Sequence, residues 1–330
     1  MPASRDRAIA ALYGVAIGDA LGMPTQLMSR AAVAERHGRL SGFEAADAHH
    51  PLAAGMAAGS ITDDTEQALL LAGMLIDGAG RIDPRQFARA LVSWENDMRG
   101  RGSLDLLGPS TKRAVEAVLG GESVEAAGRF GTTNGAAMRV TPVGIAVSAT
   151  DLEVLVDRVE EASLVSHNTG VAIAGASAVA AAVSAGIDGA NLEAAFEAAI
   201  AAAAIGRQRG YWVAAADVSR RIRWAIGLAD QSDSERSLTD IYELVGTSLA
   251  TQESVPAAFA ILATFPDDPW RACLAAASLG GDSDTVAAMV GAVAGATHGT
   301  AGFPREARAT VDRVNGLHLE PIVDGLLALR

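Results

Sequence analysis

The chain has 330 residues, enough to bury a sizeable core, and half of them are hydrophobic although only 4% are aromatic. Its formal net charge of −13 argues against nucleic acid or an anionic membrane surface as a partner. Cys273 is the only cysteine, so no disulfide can form within the chain. The first residues lead into a helical pattern rather than a signal peptide, and we therefore expect a cytoplasmic protein.

Apolar residues recur at helical spacing along nearly the whole chain, and no series of strand patterns alternates with them. Alanine and glycine supply much of this pattern, and small side chains let helices pack closely. Because no low-complexity linker divides the chain, we predict one compact all-α domain over residues 1–330. The predicted helices cover 6–20, 64–77, 84–97, 110–119, 122–128, 151–164, 168–185, 191–204, 211–229, 238–246, 254–264, 269–277, 284–297 and 305–315.

Two segments depart from this regular pattern. Residues 170–186 carry no charge, but the stretch is slightly short for a membrane span, and we expect a buried helix of the bundle. The segment 30–58 has weak periodicity and several glycines, which indicates a loop over a functional site or a solvent-exposed connection. Its adjacent histidines, His49 and His50, are expected at the surface rather than as ligands.

Two short acidic segments at opposite ends of the chain carry the clearest chemical signal. The first runs from Thr62 to Thr65 with the sequence TDDT, the second from Gly280 to Thr285 with the sequence GGDSDT, and each opens an apolar helical run. Together they offer four carboxylates and several hydroxyls, without a thiol or an imidazole. Hard oxygen ligands suit Mg²⁺ or Mn²⁺, whereas Zn²⁺ favours nitrogen or sulfur. Four carboxylates exceed what one divalent ion needs, so the pattern predicts a centre of two metal ions.

A simpler interpretation of both segments is helix capping. Aspartate and threonine are common at helix N-termini, where the positive end of the helix dipole favours acidic side chains. Either segment alone fits that interpretation better than a metal site. The two together favour the metal site, because four buried carboxylates without cations would be very costly and neither segment has an arginine close in sequence.

Three further features each leave two interpretations open. Gly14 and Gly18 predict close helix packing, while the neighbouring Asp19 either bonds backbone groups near the metal centre or caps a helix. The glycine-rich stretch 131–139 offers backbone N–H groups to phosphate or ribose oxygens, although its Asn-Gly pair is also a turn signal. His167 stands at a polar helix start, where a histidine is a cap or surface residue about as often as a substrate contact.

In chain order, these features resemble the ADP-ribosylglycohydrolase family over nearly the whole sequence, ending near His298. The resemblance implies an all-α fold with a central metal cleft that holds two Mg²⁺ or Mn²⁺ ions. It also implies cleavage of the bond at the anomeric carbon of a ribose, with attack by a metal-oriented water that carboxylates assist. The matching landmarks are Gly18–Pro24, Thr62–Thr65, Asn134–Arg139, His167 and Gly280–Thr285.

The resemblance also implies roles for individual residues. The implied metal ligands are Thr62, Asp63, Asp64, Asp282, Asp284 and Thr285. Three of these are also implied as catalytic groups, namely Asp63, Asp64 and Asp284. The residues implied in substrate binding are Gln26, Asn134, Gly135, Met138, Arg139, His167, Gly281 and Ser283.

Two positions depart from the family pattern. Gln26 stands where the family usually has a glutamate, which its ADP-ribosyl hydrolases use beside the metals. Glutamine has the same shape but cannot accept a proton, which leaves Asp63 or Asp64 as the base, or a different reaction. The residues after His167 also differ from the histidine-plus-proline pattern of many members. Both departures loosen the link to ADP-ribosylated protein and leave the metal site intact.

Three functions are consistent with these observations. The first is a metal-dependent hydrolase of ADP-ribosyl linkages, on ADP-ribosylated protein or small ADP-ribose conjugates. The second uses the same metal chemistry on a smaller riboside or nucleoside, which Gln26 favours. The third is a non-catalytic relative with a binding or structural role. The intact acidic segments favour the two enzymes, because a structural protein has no need to retain four carboxylates.

Overall fold

The computed structural model describes residues 3–104 and 107–330, which form eighteen α-helices and no β-strands. One large hydrophobic core connects residues from Ala8 to Leu326. The all-α prediction is therefore confirmed. The helices, α1 to α18 in chain order, are Ala3–Gly22, Arg30–His37, Asp63–Asp77, Pro84–Gly100, Pro109–Leu119, Val124–Ala127, Gly135–Met138, Thr141–Ala146, Leu152–His167, Gly170–Ile187, Leu192–Gly206, Val218–Ile226, Ser234–Asp240, Thr251–Thr264, Pro269–Ala277, Ser283–His298, Arg305–Asn315 and Leu319–Leu327.

The differences from the predicted helices fall at short or exposed elements. The sequence pattern does not predict α2, α7, α8 or α18, because such short elements hold too few turns for a clear period. The predicted helix 211–229 is too long, since its first apolar residues, Tyr211 and Trp212, are exposed and only α12 is helical there. The predicted helix 238–246 is divided, because α13 ends at Asp240 and a π-helical turn covers Ile241–Val245.

Helices α1 and α16 form the tightest pair in the fold, and glycines make their approach possible. A methyl group built on Gly14 would overlap the carbonyl oxygen of Gly291, and one built on Gly18 would overlap that of Ala287. The predicted close packing at Gly14 and Gly18 is therefore confirmed. The same contact continues to the end of α1, where a methyl group on Gly22 would overlap the backbone of Asp284. The turn after α1 is thus held beside the second acidic segment.

Helix α10 is the uncharged stretch that the sequence analysis singled out. Among the described residues, it is the one helix long and apolar enough to cross a membrane. In the structure 94% of that stretch is buried inside the fold, where it packs mainly against α11 and α16. This burial is typical of a core helix, as predicted.

Between residues 30 and 58, the two adjacent histidines have opposite environments. The His49 side chain is 95% exposed, whereas His50 is only 5% exposed, so the surface prediction is wrong for His50. The Nδ1 atom of His50 accepts a hydrogen bond from the backbone N–H of Leu52 (3.2 Å), and its Nε2 lies 3.0 Å from the carbonyl oxygen of Gln26. His50 therefore ties this segment to the turn after α1, which explains its burial.

Candidate active site

The N-terminal ends of α3 and α16 meet at a cavity of about 240 Å³. Side chains of both acidic segments line it, and Thr285 Oγ1 of the second segment donates a hydrogen bond to Asp64 Oδ2 of the first (3.1 Å). The predicted meeting of the two segments is therefore confirmed. Apolar side chains form much of the remaining wall, among them Leu27, Leu52, Leu104, Leu107, Met138 and Leu249.

Asp64 is the carboxylate of this cluster whose charged form is most destabilised by its surroundings. It is fully buried, and its Oδ1 atom has no hydrogen-bond partner. Burial raises the pKa of Asp64 well above its usual range, and the charges of Asp284, Asp19, Asp63 and Asp282 raise it further. A buried carboxylate in this position needs either a proton or a nearby cation.

Asp19 forms a fixed anion at the start of α3. Its carboxylate accepts hydrogen bonds from the backbone N–H and the hydroxyl groups of both Thr62 and Thr65, with Thr62 Oγ1 at 2.7 Å and Thr65 Oγ1 at 2.5 Å. Burial raises the pKa of Asp19 to about 6 although these hydrogen bonds lower it. Both interpretations of Asp19 are confirmed, because it bonds backbone groups beside the acidic cluster and also caps α3 by accepting from the N–H of Thr65 in its first turn. The bond also turns the hydroxyl of Thr62 toward Asp19, and Thr62 does not line the cavity.

Asp63 lines the cavity and is oriented from behind by two side chains. Gln67 Nε2 donates to Asp63 Oδ2 (2.9 Å), and the guanidinium of Arg139 donates to Gln67 Oε1 (3.2 Å). Arg139 is only 1% exposed, and burial lowers its pKa to about 10, so it stays cationic at neutral pH. Sequence reasoning missed Gln67, although its spacing of four residues from Asp63 on α3 places the two side chains on one helix face.

Asp282 also lines the cavity and is held by Asn134. The amide of Asn134 donates to Asp282 Oδ2 (2.5 Å) and to Ser254 Oγ (3.0 Å). Burial raises the pKa of Asp282 to about 6, although the bond from Asn134 lowers it. Asn134 therefore orients a carboxylate in addition to facing the cavity.

The eight residues predicted to bind substrate fall into two groups of four. Those that line the cavity are Gln26, Asn134, Gly135 and Met138. Those that do not line it are Arg139, His167, Gly281 and Ser283. For this second group, the structure corrects the predicted direct contact with substrate to a supporting position.

Each of the supporting residues has an identifiable structural task. Gly281 has φ = +72°, and a methyl group there would overlap the backbone of Thr247. Ser283 is fully buried, and its hydroxyl lies 2.9 Å from that of Thr25. These contacts shape the loop before α16 and so set the direction of Asp282 and Asp284. Arg139 and His167 belong to a buried polar network behind Asp63.

The cavity offers oxygen donors, as a hard divalent cation requires. Within 3–104 and 107–330, no group of three or more His, Cys, Asp or Glu side chains is arranged to hold a metal ion as it stands. The unpartnered oxygen of Asp64 and the mutual effect of the carboxylates on its pKa nevertheless fit a cation at this position. Chemically, the arrangement could bind metal ions, accept a proton from water and stabilise positive charge on a substrate.

Three relatives share sequence similarity with most of this chain. The uncharacterised protein YegU of Escherichia coli (strain K12) is 34% identical, over 98% of this chain and 97% of its own length. The ADP-ribosylarginine hydrolase Tri1 of Pseudomonas putida (strain GB-1) is 30% identical, over 91% of this chain and 73% of its own length. The ADP-ribosyl-[dinitrogen reductase] glycohydrolase of Rhodospirillum rubrum is 26% identical, over 99% and 98%.

The fold also matches a solved structure, described as an ADP-ribosylglycohydrolase-related protein complex. The two chains superpose with a TM-score of 0.70 over 100% of this chain and 98% of the other, at 24% identity. Sequence similarity to the two named hydrolases and to a family model places the protein among the glycosidic hydrolases. It belongs to the ADP-ribosylglycohydrolase family, because the family model of that name matches residues 1–330.

Proposed function

We propose that this protein is a metal-dependent glycohydrolase that cleaves the bond at the anomeric carbon of an ADP-ribosyl group. The group is carried by a protein side chain or by a small conjugate. The observation that carries the proposal is that three carboxylates, Asp63, Asp282 and Asp284, line one cavity while the fully buried Asp64 interacts with all three and has an oxygen without a partner. The activities named for the relatives from Pseudomonas putida and Rhodospirillum rubrum support the choice of an ADP-ribosyl linkage.

The proposed cofactors are two divalent cations, Mg²⁺ or Mn²⁺. Their proposed ligands are the six residues Thr62, Asp63, Asp64, Asp282, Asp284 and Thr285. When bound, such cations make a coordinated water easier to deprotonate and orient the hydroxyl groups of the ribose.

The reaction joins the oxygen of water to the anomeric carbon and breaks the bond from that carbon to the leaving group. Asp63 and Asp284 line the cavity, so either carboxylate can accept the proton that water loses. The gathered carboxylates also stabilise the positive charge that develops on the ribose ring. Gln67 and Asn134 hold two of the carboxylates in place, so that little reorganisation is needed during the reaction.

Product analysis by mass spectrometry tests this function directly. The purified protein is incubated with Mg²⁺ or Mn²⁺ and with ADP-ribosyl-arginine, ADP-ribosyl-serine, small ADP-ribose conjugates and a panel of nucleosides, each with an EDTA control. Free ADP-ribose that appears only with metal supports the proposal. Free ribose or base from a nucleoside would instead support a smaller riboside as the substrate, and absence of product from every substrate would overturn both.

The smaller riboside remains a second candidate because of Gln26. This side chain lines the cavity and is 4% exposed, and its Nε2 atom has no hydrogen-bond partner. It brings an amide, which cannot accept a proton, to the cavity that the catalytic carboxylates line. A substrate with a more easily broken bond would tolerate this lack of a further base.

Gln26→Glu is expected to raise any ADP-ribosyl hydrolase activity by about 10-fold, since an added general base contributes at least this much when well placed. The added carboxylate would lie among like charges, which keep its proton affinity high enough for a base near neutral pH. The measurement is kcat with ADP-ribosyl-arginine at saturating Mg²⁺ or Mn²⁺. Gln208→Glu makes the same charge change at an exposed position and serves as the control. An unchanged or lower rate in Gln26→Glu would contradict the role assigned to this position.

A further inference from the structure

A chain of buried hydrogen bonds runs from Arg139 to a cavity residue that the sequence analysis did not assign. Arg139 donates to Ser166 Oγ (2.6 Å), and Ser166 Oγ lies 2.8 Å from His167 Nδ1. His167 Nε2 lies 2.9 Å from Thr133 Oγ1. Arg139, Ser166 and His167 are all buried, whereas Thr133 is partly exposed and lines the cavity.

The direction of the hydrogen bonds in this series is assigned from its first member, Arg139. Because a guanidinium only donates, Ser166 Oγ accepts from Arg139, and we assign its own hydrogen to the bond with His167 Nδ1, its other side-chain partner. A neutral histidine with Nδ1 as acceptor carries its proton on Nε2, so His167 donates to Thr133 Oγ1. The hydroxyl of Thr133, with one lone pair already occupied, then directs its proton to the cavity.

The surroundings of His167 keep it in this neutral form. Burial lowers the pKa of His167 well below its usual range, and the positive charges of Arg139 and Arg113 lower it further. The fixed charge of Arg139 also polarises this series of hydrogen bonds in one direction. Hydrogen bonds in series strengthen one another in a buried environment. The donor direction is therefore set by the fold before any ligand binds.

Backbone hydrogen bonds on both sides of Thr133 fix the position of this residue. The N–H of Asn134 donates to the carbonyl oxygen of Leu249 (2.9 Å), and the N–H of Thr251 donates to that of Thr132 (3.2 Å). These bonds form an isolated bridge between Thr133 and Ala250. A hydroxyl on such a support contacts a ligand at little entropic cost.

We propose that Thr133 is a substrate-binding residue whose hydroxyl is fixed as a hydrogen-bond donor to the ligand. It selects an acceptor oxygen of the ligand, such as a phosphate or ring oxygen. Ligand hydroxyl groups then face Asp63, Asp282 and Asp284, which line the same cavity and accept hydrogen bonds, so the donor and the acceptors together determine the orientation in which the ligand binds. The choice of ADP-ribose as the probe ligand rests on the proposed function.

Thr133→Val tests the proposal, because valine keeps the shape of threonine and removes the hydroxyl. We expect it to weaken ADP-ribose binding, measured by calorimetry with Mg²⁺ present, and to raise KM for an ADP-ribosyl substrate, both by about 10-fold. The kcat value should change less than KM. Thr133→Ser retains the hydroxyl and should recover most of the affinity, which a role in packing alone would not produce.

Thr132→Val is the matched control, since Thr132 precedes Thr133 and does not line the cavity. The affinity of this variant for ADP-ribose and its KM should stay within about twofold of the wild-type values. Substitutions away from a site usually change free energies little. Equal losses in Thr132→Val and Thr133→Val, or no loss in Thr133→Val, would overturn the proposal.

A second measurement is independent of substrate identity. Nitrogen chemical shifts of His167, measured by NMR on ¹⁵N-labelled protein without ligand, distinguish the two neutral tautomers and the imidazolium. The Nε2–H tautomer is expected, and either alternative would overturn the direction assigned to Thr133. If the wild type neither binds ADP-ribose nor hydrolyses ADP-ribosyl substrates, the proposed function fails, and this measurement still tests the bond direction.

Discussion

Replacing Asp284 with asparagine is expected to reduce hydrolysis by more than about 100-fold without unfolding the protein. Asp284 lines the cavity, and after burial its charge contributes most to the raised pKa of Asp64. Loss of residues that only orient metal ligands typically costs roughly 10- to 100-fold in activity, so loss of a ligand should cost more. The measurement is kcat/KM for an ADP-ribosyl substrate at saturating Mg²⁺ or Mn²⁺.

The same variant distinguishes an effect on metal binding from an effect on the stability of the fold. In EDTA, Asp284→Asn should be at least as stable as the wild type, because it removes repulsion between buried carboxylates. Added Mg²⁺ or Mn²⁺ should raise the melting temperature of the wild type and have little effect on the variant. Asp77→Asn is the control, since Asp77 is exposed at the end of α3. Retained turnover in Asp284→Asn, or equal stabilisation of both proteins by metal, would contradict the assigned centre.

Gly18→Ala should produce the largest loss of stability among single methyl additions to the α1–α16 contact, about 3 kcal/mol or more. The added methyl group would overlap the carbonyl oxygen of Ala287, and a backbone atom in a buried helix cannot move aside as a flexible side chain can. The two helices would have to separate, which would also displace the start of α16. Thermal and urea unfolding in EDTA measure this effect apart from metal binding.

Gly73→Ala is the matched control for that substitution. Gly73 lies inside α3, and a methyl group there would meet no atom within 4 Å. Alanine should therefore stabilise the fold by up to about 1 kcal/mol through its higher helix propensity. If Gly18→Ala were as stable as Gly73→Ala, the close backbone contact between α1 and α16 would be refuted.

Sequence reasoning was most accurate where local pattern and local chemistry agree. The predicted helices 64–77 and 284–297 differ from α3 and α16 by one residue at most at each end, because each begins at an acidic, hydroxyl-rich start followed by an apolar period. The packing glycines of α1 were also predictable, since glycines four residues apart lie on one helix face. In contrast, the short helix α7 carries too little periodicity to be seen, although it supplies Gly135 and Met138 to the cavity.

Several other residues around the site could not be predicted, because they act through contacts between distant segments. Nothing in the order of residues distinguishes buried His50 from exposed His49, and only the bond to the Gln26 carbonyl explains the difference. The same holds for Gln67, whose role depends on Arg139 from another element. The hydroxyl of Thr133 is likewise oriented by a series of hydrogen bonds that begins at the same arginine.

The sequence by itself determined the fold class, the two acidic helix starts and the type of ligand atom they offer, because helical periodicity and carboxylate pairs are local properties of the chain. Only the tertiary structure decided which of these side chains face the cavity and which stand behind it. Burial and hydrogen-bond partners depend on how segments that are more than 200 residues apart pack, as Asp64 and Thr285 do. Of the eight residues predicted to contact substrate, packing places four at the cavity and leaves the other four in supporting positions.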